Sequence, residues 1–357
     1  MAQHKKQLVF VGMSGGVDSS VTAALLQQQN YQVVGIFMKN WSQNTQGCCN
    51  TDADLADARQ VANLLNIPFY VWNFERQYYN EVIKYFFAEY KAGRTPNPDI
   101  MCNKEIKFKL FLERALALGA DYIATGHYAR NVFTNNKYHL LRGLDPNKDQ
   151  SYFLCTLGQK ELAKTLFPIG EYQKSAIRKL AEKFKLPTAH KKDSQGICFI
   201  GNINVRKFLE ENIKSQPGNI IDSQDNILGQ HNGAYYFTIG QREGLDIKTG
   251  KGPYYVIDKN ITNNTVTVST NPNDPLLCRQ SFIINNLNWV NQPLNTKQAQ
   301  VAIRYHHPAY PATLENIATD QIKITFTQPQ RAITPGQLAV IYQDAELIGC
   351  GTINSVL

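Results

Sequence analysis

Apolar and polar positions change rhythm along this chain in a way that predicts its elements. Leu8 to Val11 is an unbroken apolar run, which predicts a parallel strand buried on both faces, and a Gly/Ser-rich turn then opens into a helix to about Gln29. A second strand is expected over Gln32 to Phe37, ending at Met38. Leu55, Ala58, Ala62 and Leu65 recur at helical spacing over Thr51 to Leu65, with Thr51 and Asp54 as a capping box. Phe69 to Phe74 reads as a strand and Glu75 to Lys91 as a helix, carried by Tyr79, Val82, Ile83, Phe86 and Phe87. A helix over Asn103 to Leu118 and a strand over Asp121 to Thr125 follow. Strand and helix in alternation imply an α/β domain built on a doubly wound parallel sheet.

The rhythm then loosens. Tyr128 to Leu141 alternates around Asn135-Asn136, a hairpin turn signal, and helices are expected over Glu161 to Lys164 and Tyr172 to Lys185. Beyond Phe208 the helical period fades and glycine, asparagine and β-branched residues dominate. The expected organisation is a catalytic domain over 1–207, a small mixed α+β domain over 208–274, and a β-barrel over 275–357, the last from short strands such as those in QVAIRYHHPAY and QIKITF. A chain of 357 residues is long enough for each part to bury its own core.

Composition narrows the partners. Lys and Arg total 37 against 29 for Asp and Glu, a net charge of +8 that suits a polyanion such as RNA. The start MAQHKKQ lacks an apolar signal region and no long apolar run follows, so a cytoplasmic protein with no membrane segment is expected. Seven cysteines, an odd number, argue for reduced thiols. Cys155, Cys278 and Cys350 have no acid, base or loop context and read as packing, and the adjacent Cys48 and Cys49 have no metal-site spacing.

Three stretches carry candidate chemistry. In the first, Gly12, Gly15 and Gly16 can turn successive N–H groups toward an anion, and Asp18 and Ser19 open the following helix, whose dipole favours phosphate. The Gly-Lys-Ser/Thr ending of a Walker A loop is absent; an ordinary strand-to-helix turn is the alternative. Met38 and Gly126-His127 fall at carboxyl ends of strands, where open α/β sheets bind ligands, although a core methionine and a capping histidine fit equally well. In the second stretch, GRTPNPDIMCN, two prolines predict a rigid loop over Gly93 to Asn103, with Asp99 three residues before Cys102 and the lysines 104, 107 and 109 beyond. Cys102 is either a thiol activated at a helix start or a buried small hydrophobe. The third, DSQGICFIG, places Cys198 behind a glycine turn. Arg304, Tyr305, His306 and His307 put cations and rings together, as for RNA stacking or as a solvated strand edge.

SGGVDSS resembles the pyrophosphate-binding loop of the PP-loop ATP pyrophosphatases. With Asp99-x-x-Cys102 and SQGICFIG in this order, nearly the whole chain resembles the bacterial tRNA-specific 2-thiouridylases (MnmA). The resemblance implies ATP with Mg²⁺ at Gly12, Met13, Ser14, Gly15, Gly16, Val17, Asp18, Ser19, Met38 and Gly126, with no metal site of the protein's own. It implies that Asn97, Pro98 and Asp99 line a wobble uridine of the tRNAs for lysine, glutamate and glutamine, with Asp99 as acid/base. Cys198 would carry a persulfide, loaded by a cysteine desulfurase or a relay protein, and Cys102 would close a transient disulfide with it. tRNA contacts are implied for His127, Lys148, Asp149, Gln150, Arg304, Tyr305 and Gln337, on a monomer. Two rivals remain: a PP-loop synthetase of the amidotransferase type, which needs no reactive thiols, and an RNA-binding or redox-sensing module.

Overall fold

The computed structural model describes residues 6–42, 51–193, 205–293 and 297–357. β1 (Leu8–Gly12), β2 (Gln32–Lys39), β3 (Phe69–Asn73) and β4 (Tyr122–Ala124) form where the apolar runs place them, and all their pairings are parallel. β5 (Ala129–Thr134) and β6 (Lys137–Arg142) make the expected hairpin, turned by positive φ at Asn135 and Asn136. With β7 (Thr165–Leu166) the parallel sheet runs β3-β2-β1-β4-β7.

Its central strands β1 and β2 are apolar along their buried length because both faces are covered, whereas the edge strand β3 leaves Tyr70 and Val71 exposed. Val9, Val11 and Val33 point to one side, where they meet Val17, Val21 and Leu25 of α1 (Val17–Gln28), Ala58 and Val61 of α2 (Thr51–Leu64), and Ile177 and Ala181 of the helix Lys174–Lys183. Phe10, Val34, Ile36 and Met38 point to the other, against Tyr78, Val82 and Phe86 of helix 75–91 and Ile100, Ile106 and Phe111 of helix 98–117. Both of the latter helices widen into π-turns, at Tyr79–Ile83 and Cys102–Phe111.

Two local expectations change. Thr51 is the first residue of α2, and its hydroxyl donates to the Trp41 carbonyl at 3.2 Å rather than capping the helix. The stretch expected as a loop up to Asn103 is helical from Pro98. Asn97 is the cap, its side-chain oxygen accepting from the N–H groups of Asp99 at 3.1 Å and Ile100 at 3.2 Å, and Pro98 holds the first helical position. Cys102 therefore lies one turn inside the helix.

The central domain is a sheet of β8 (Gly218–Ile221), β9 (Ile227–His231), β10 (Tyr255–Asn260) and β11 (Thr265–Ser269), ordered β10-β11-β8-β9. Its leading helix, Val205–Asn212, sets Phe208 against Phe87 at 5.2 Å. The C-terminal part is a closed six-stranded antiparallel barrel of β12 (Cys278–Trp289), β13 (Gln298–Ala302), β14 (Tyr310–Ala318), β15 (Gln321–Arg331), β16 (Leu338–Gln343) and β17 (Glu346–Val356), shut by pairing of β12 with β17. The β5–β6 hairpin belongs to the first domain in sequence, yet β6 pairs with β17 of the barrel, Leu140 opposite Leu347. Arg142 stacks on Tyr342 at 3.6 Å, and Cys350 donates to the Cys155 carbonyl at 3.2 Å across the same junction.

The cap at Asn97 gives a stability prediction. Asn97→Ala lowers stability by about 1 kcal/mol, read as a shift of the urea midpoint at constant slope, whereas Asn97→Asp, which keeps the acceptor, stays near wild type.

Candidate functional site

The site is assembled where β1 ends and α1 begins. Gly16 is the N-cap of α1 and offers no side chain to the helix, so the first-turn N–H groups are left for another acceptor. The loop before it is tied internally: Ser14 N donates to Ser19 Oγ at 3.1 Å, and Ser20 Oγ donates to the Gly16 carbonyl at 2.8 Å. Met13 and Val17 point into the core, so a ligand meets them only through backbone. Gly15 has φ +75°, and a Cβ there would lie 2.2 Å from the Asp54 carbonyl oxygen; one on Gly126, at the end of β4, would lie 2.7 Å from Ser19 N. These two glycines are needed for the loop to close against its neighbours.

A charge network that the sequence did not reveal braces this loop. Asp18 accepts from Tyr128 Oη at 2.7 Å and from Lys174 Nζ at 2.7 and 2.8 Å. Lys174 also reaches Asp193 at 2.8 Å, and Asp193 pairs in turn with Lys148 at 2.7 Å and Arg178 at 2.9 Å. Burial pulls the Asp193 carboxyl upward, but hydrogen bonds from Lys148 and Lys174 outweigh it and hold the group below its ordinary range. Burial, and then the Asp18 charge, push the Tyr128 phenol far above its usual value, so it stays a donor. Lys191 grips Asp54 at 2.6 Å and also Asp57, so both Lys191 and Asp193 fix the chain just ahead of residue 194. One signal for Lys174 was available in the sequence: it begins a helix, where the macrodipole disfavours a cation unless an anion compensates it.

The site fits a nucleoside triphosphate on further grounds. Asn40 follows the carboxyl end of β2, is 1% exposed, and neither atom of its carboxamide has a hydrogen-bond partner among the described residues. Such a group calls for a ligand, and a carboxamide matches the N6/N7 edge of adenine. Met38 is buried in the core, its Cε 3.1 Å from where a Gly12 side chain would start. Among the described residues no group of three metal-ligating side chains occurs, and Asp18 is the carboxylate in the first turn of α1.

Helix 98–117 lies on the face of the sheet that carries Met38. Asp99 is in its first turn, its carbonyl accepting from Asn103 Nδ2 at 2.9 Å, and Cys102 is buried in the core cluster with Met38 and Trp72. Cys198, Cys48 and Cys49 lie outside the described residues. The lysines expected to surround Cys102 with positive charge are partly neutralised, since Lys104 and Lys109 pair with Glu105 at 3.7 and 2.6 Å.

The residues expected to hold RNA divide. Arg304 is exposed, and Tyr305 is half-buried against Phe153 at 4.3 Å; burial, then the charges of Asp149 and Asp99, push its phenol to about 12. Lys148 keeps an accessible charge while paired with Asp193. Four others are engaged in internal hydrogen bonds. His127 is buried against Phe108 and Phe167, bonded to Thr125 at 2.8 Å, and burial, then Lys107, hold it neutral. Asp149 accepts from the Gly143 and Ser151 N–H groups, each at 3.0 Å, Gln150 accepts from Tyr128 N at 3.1 Å, and Gln337 donates to the Thr95 carbonyl at 2.8 Å. These contacts brace the surrounding fold, while Asp149, Gln150 and Gln337 each keep part of their surface exposed.

Three family models cover the chain: "tRNA methyl transferase HUP domain" over residues 7–202, "tRNA methyl transferase PRC-barrel domain" over 206–270, and "Aminomethyltransferase beta-barrel domain" over 279–353. The chain is similar to the tRNA-specific 2-thiouridylase MnmA of Salmonella arizonae, 50% identical over 98% of this chain and 97% of that one. The protein of the same name from Bacillus licheniformis is 48% identical over 98% of this chain and 95% of its own length. That from Haemophilus ducreyi is 48% identical over all of this chain and 95% of its own.

The charge network predicts that Lys174→Met weakens ATP binding at least tenfold, about 1.4 kcal/mol for a lost charge-assisted contact to phosphate. AMP, which presents no β- or γ-phosphate, should lose less than about threefold, both read by calorimetric titration.

Proposed function

The chain belongs to the tRNA-specific 2-thiouridylase family, and from that premise we propose that it uses ATP to replace the C2 oxygen of a tRNA wobble uridine with sulfur. What supports this reading is a glycine-rich turn with open N–H groups between β1 and α1, and a helix bearing Asp99 and Cys102 packed on a face of the same sheet, in a chain matching those relatives over almost all its length. The family models' printed descriptions name methyl transfer, but a cradle for the phosphates of a triphosphate has no task in moving a methyl group.

A carbonyl oxygen is a poor leaving group, so the chemistry needs two steps. Uracil O2 attacks the α-phosphorus of ATP; the O2–P bond forms, the α,β-bridging bond breaks, and pyrophosphate departs. The uracil N3 proton must leave as this happens, and Asp99 is the base assigned to it, beside Asn97 and Pro98. The open N–H groups of α1, Ser14, Ser19 and Lys174 hold the departing phosphates, while Asn40, Met38 and Gly126 hold the nucleoside end. Mg²⁺ arriving with the nucleotide supplies charge neutralisation at the phosphates.

In the second step a persulfide on Cys198 delivers its terminal sulfur to C2 and AMP leaves with the former O2. The Cys102 thiolate attacks the inner sulfur, so the S–S bond to the transferred atom breaks as a Cys102–Cys198 disulfide forms; an external thiol reduces that bond for the next cycle. Asp193 supports this assignment: it is bound to Lys174 beside the cradle and stands five residues before Cys198 in sequence. The tRNAs for lysine, glutamate and glutamine, a cysteine desulfurase or relay protein as donor, a monomeric state and a cytoplasmic setting complete the proposal. Among the described residues no helix is long and apolar enough to cross a membrane.

Two measurements test it. Cells lacking the chain should lose 2-thiouridine derivatives from digested tRNA, seen by mass spectrometry, and unchanged levels would refute the reading. Cys198→Ser and Cys102→Ser should each lower thiolation about 100-fold or more while pyrophosphate release from ATP and unmodified tRNA persists, and Asp99→Asn should slow that release by about 100-fold. Full product formation by Cys198→Ser would exclude sulfur transfer through that thiol, and a product carrying nitrogen in place of sulfur would favour an amidotransferase-type synthetase.

A further inference from the structure

Residues 93–96 join helix 75–91 to the Asn97 cap of helix 98–117, and the other two domains hold this short strap from separate sides. From the central domain, Ile261 Cγ1 lies 2.4 Å from where a Gly93 side chain would start, and the Thr238 hydroxyl is 3.2 Å from that of Thr95. From the barrel, the Pro335 carbonyl accepts from Thr95 N at 2.9 Å. Gln337 Nε2 donates to the Thr95 carbonyl at 2.8 Å and to that of Pro96 at 3.3 Å. Gly336, at φ +92°, fits so closely that a Cβ would lie 2.8 Å from Thr95 N and 2.9 Å from Arg94 Cβ.

The barrel turn is itself fixed. Gly336 N donates to the Ile353 carbonyl at 2.9 Å, and Ile353 N to that of Gln337 at 2.8 Å, so β17 sets the turn and the turn sets the strap. Thr95 and Pro96 are buried and precede the helix cap, so no helical N–H reaches their carbonyls, and Gln337 satisfies them instead. Its amide nitrogen faces the strap.

We infer that the turn 335–337 is a latch through which the barrel sets the position of Asp99 and Cys102, and that Gln337 is a positioning residue for the chemical step. The inference rests on the reading of Asp99 and Cys102 as reactive groups. Its physical content is leverage: the strap ends one residue before Pro98, and a misplacement of about 1 Å at a reacting group can cost about 100-fold in rate. The barrel also carries Arg304 and Tyr305, so the domain that meets RNA is the domain that holds the catalytic helix in register.

The test compares Gln337→Leu, similar in size but without donors, with Gln337→Glu, whose carboxyl can donate to the strap only when protonated. Gln337→Leu should lower kcat for thiolation about 10- to 100-fold with the Kd for tRNA within about twofold of wild type, and amide exchange over 95–101 should quicken. Gln337→Glu should be similarly impaired at neutral pH and recover relative to wild type as pH falls, a profile that mere loss of packing would not produce. A tenfold weaker Kd for tRNA with kcat unchanged would make Gln337 an RNA ligand and overturn the latch. So would wild-type kcat and exchange in both variants. A wild-type protein that neither releases pyrophosphate nor makes 2-thiouridine would remove the reading of the site, whereas the exchange over 95–101 reports on the latch independently.

Discussion

Everything chemical in this protein hangs from a constraint of parallel sheets: every strand points its carboxyl end the same way, so the loops that follow crowd together at one edge. With β1 flanked by β2 and β4, the turn after Gly12, the Asn40 segment after β2 and Gly126 after β4 must emerge side by side. The burial of Val9, Phe10 and Val11 on both faces makes that arrangement stiff. The loop can then leave N–H groups unsatisfied for a ligand because the framework, rather than the loop, provides the stability.

Charge refines what the sheet positions. The Asp18 carboxylate at a helix N-terminus would repel a triphosphate if it stood alone; Lys174 and the Tyr128 hydroxyl neutralise and orient it. The same lysine reaches Asp193, so the nucleotide end and the chain leading toward Cys198 share one cation. An anion arriving at the cradle competes with both carboxylates for Lys174, which ties occupancy of the one to the hold on the other.

Much of this was legible in the residues, and what was not has physical causes. β1 and the middle of β2 were recognisable because a strand covered on both faces is apolar along its buried length, β3 because it is rich in aromatic and β-branched residues, and the turn at Asn135-Asn136 because both positions need positive φ. Pro96 and Pro98 suggested a loop throughout, although Asn97-Pro98 is equally a cap followed by a first helical residue; local composition could not choose, and the burial of Ile100 and Cys102 did. The internal hydrogen bonds of Asp149, Gln150 and Gln337 depend on backbone groups whose needs no single sequence displays. Lys174 and Asn40 belong to the same class: their importance is a matter of what surrounds them.

The pairing of β6 with β17 has a consequence for how such a protein can be divided. A truncation before the barrel would strip β6 of its neighbour, uncover Leu140 and leave an apolar edge with unpaired N–H and C=O groups, an invitation to aggregate. Chimeras between relatives face the matching rule, that the hairpin must travel with the barrel that completes it. The inherited unit is thus larger than either domain, and the seam visible in the sequence is not the seam along which the molecule comes apart.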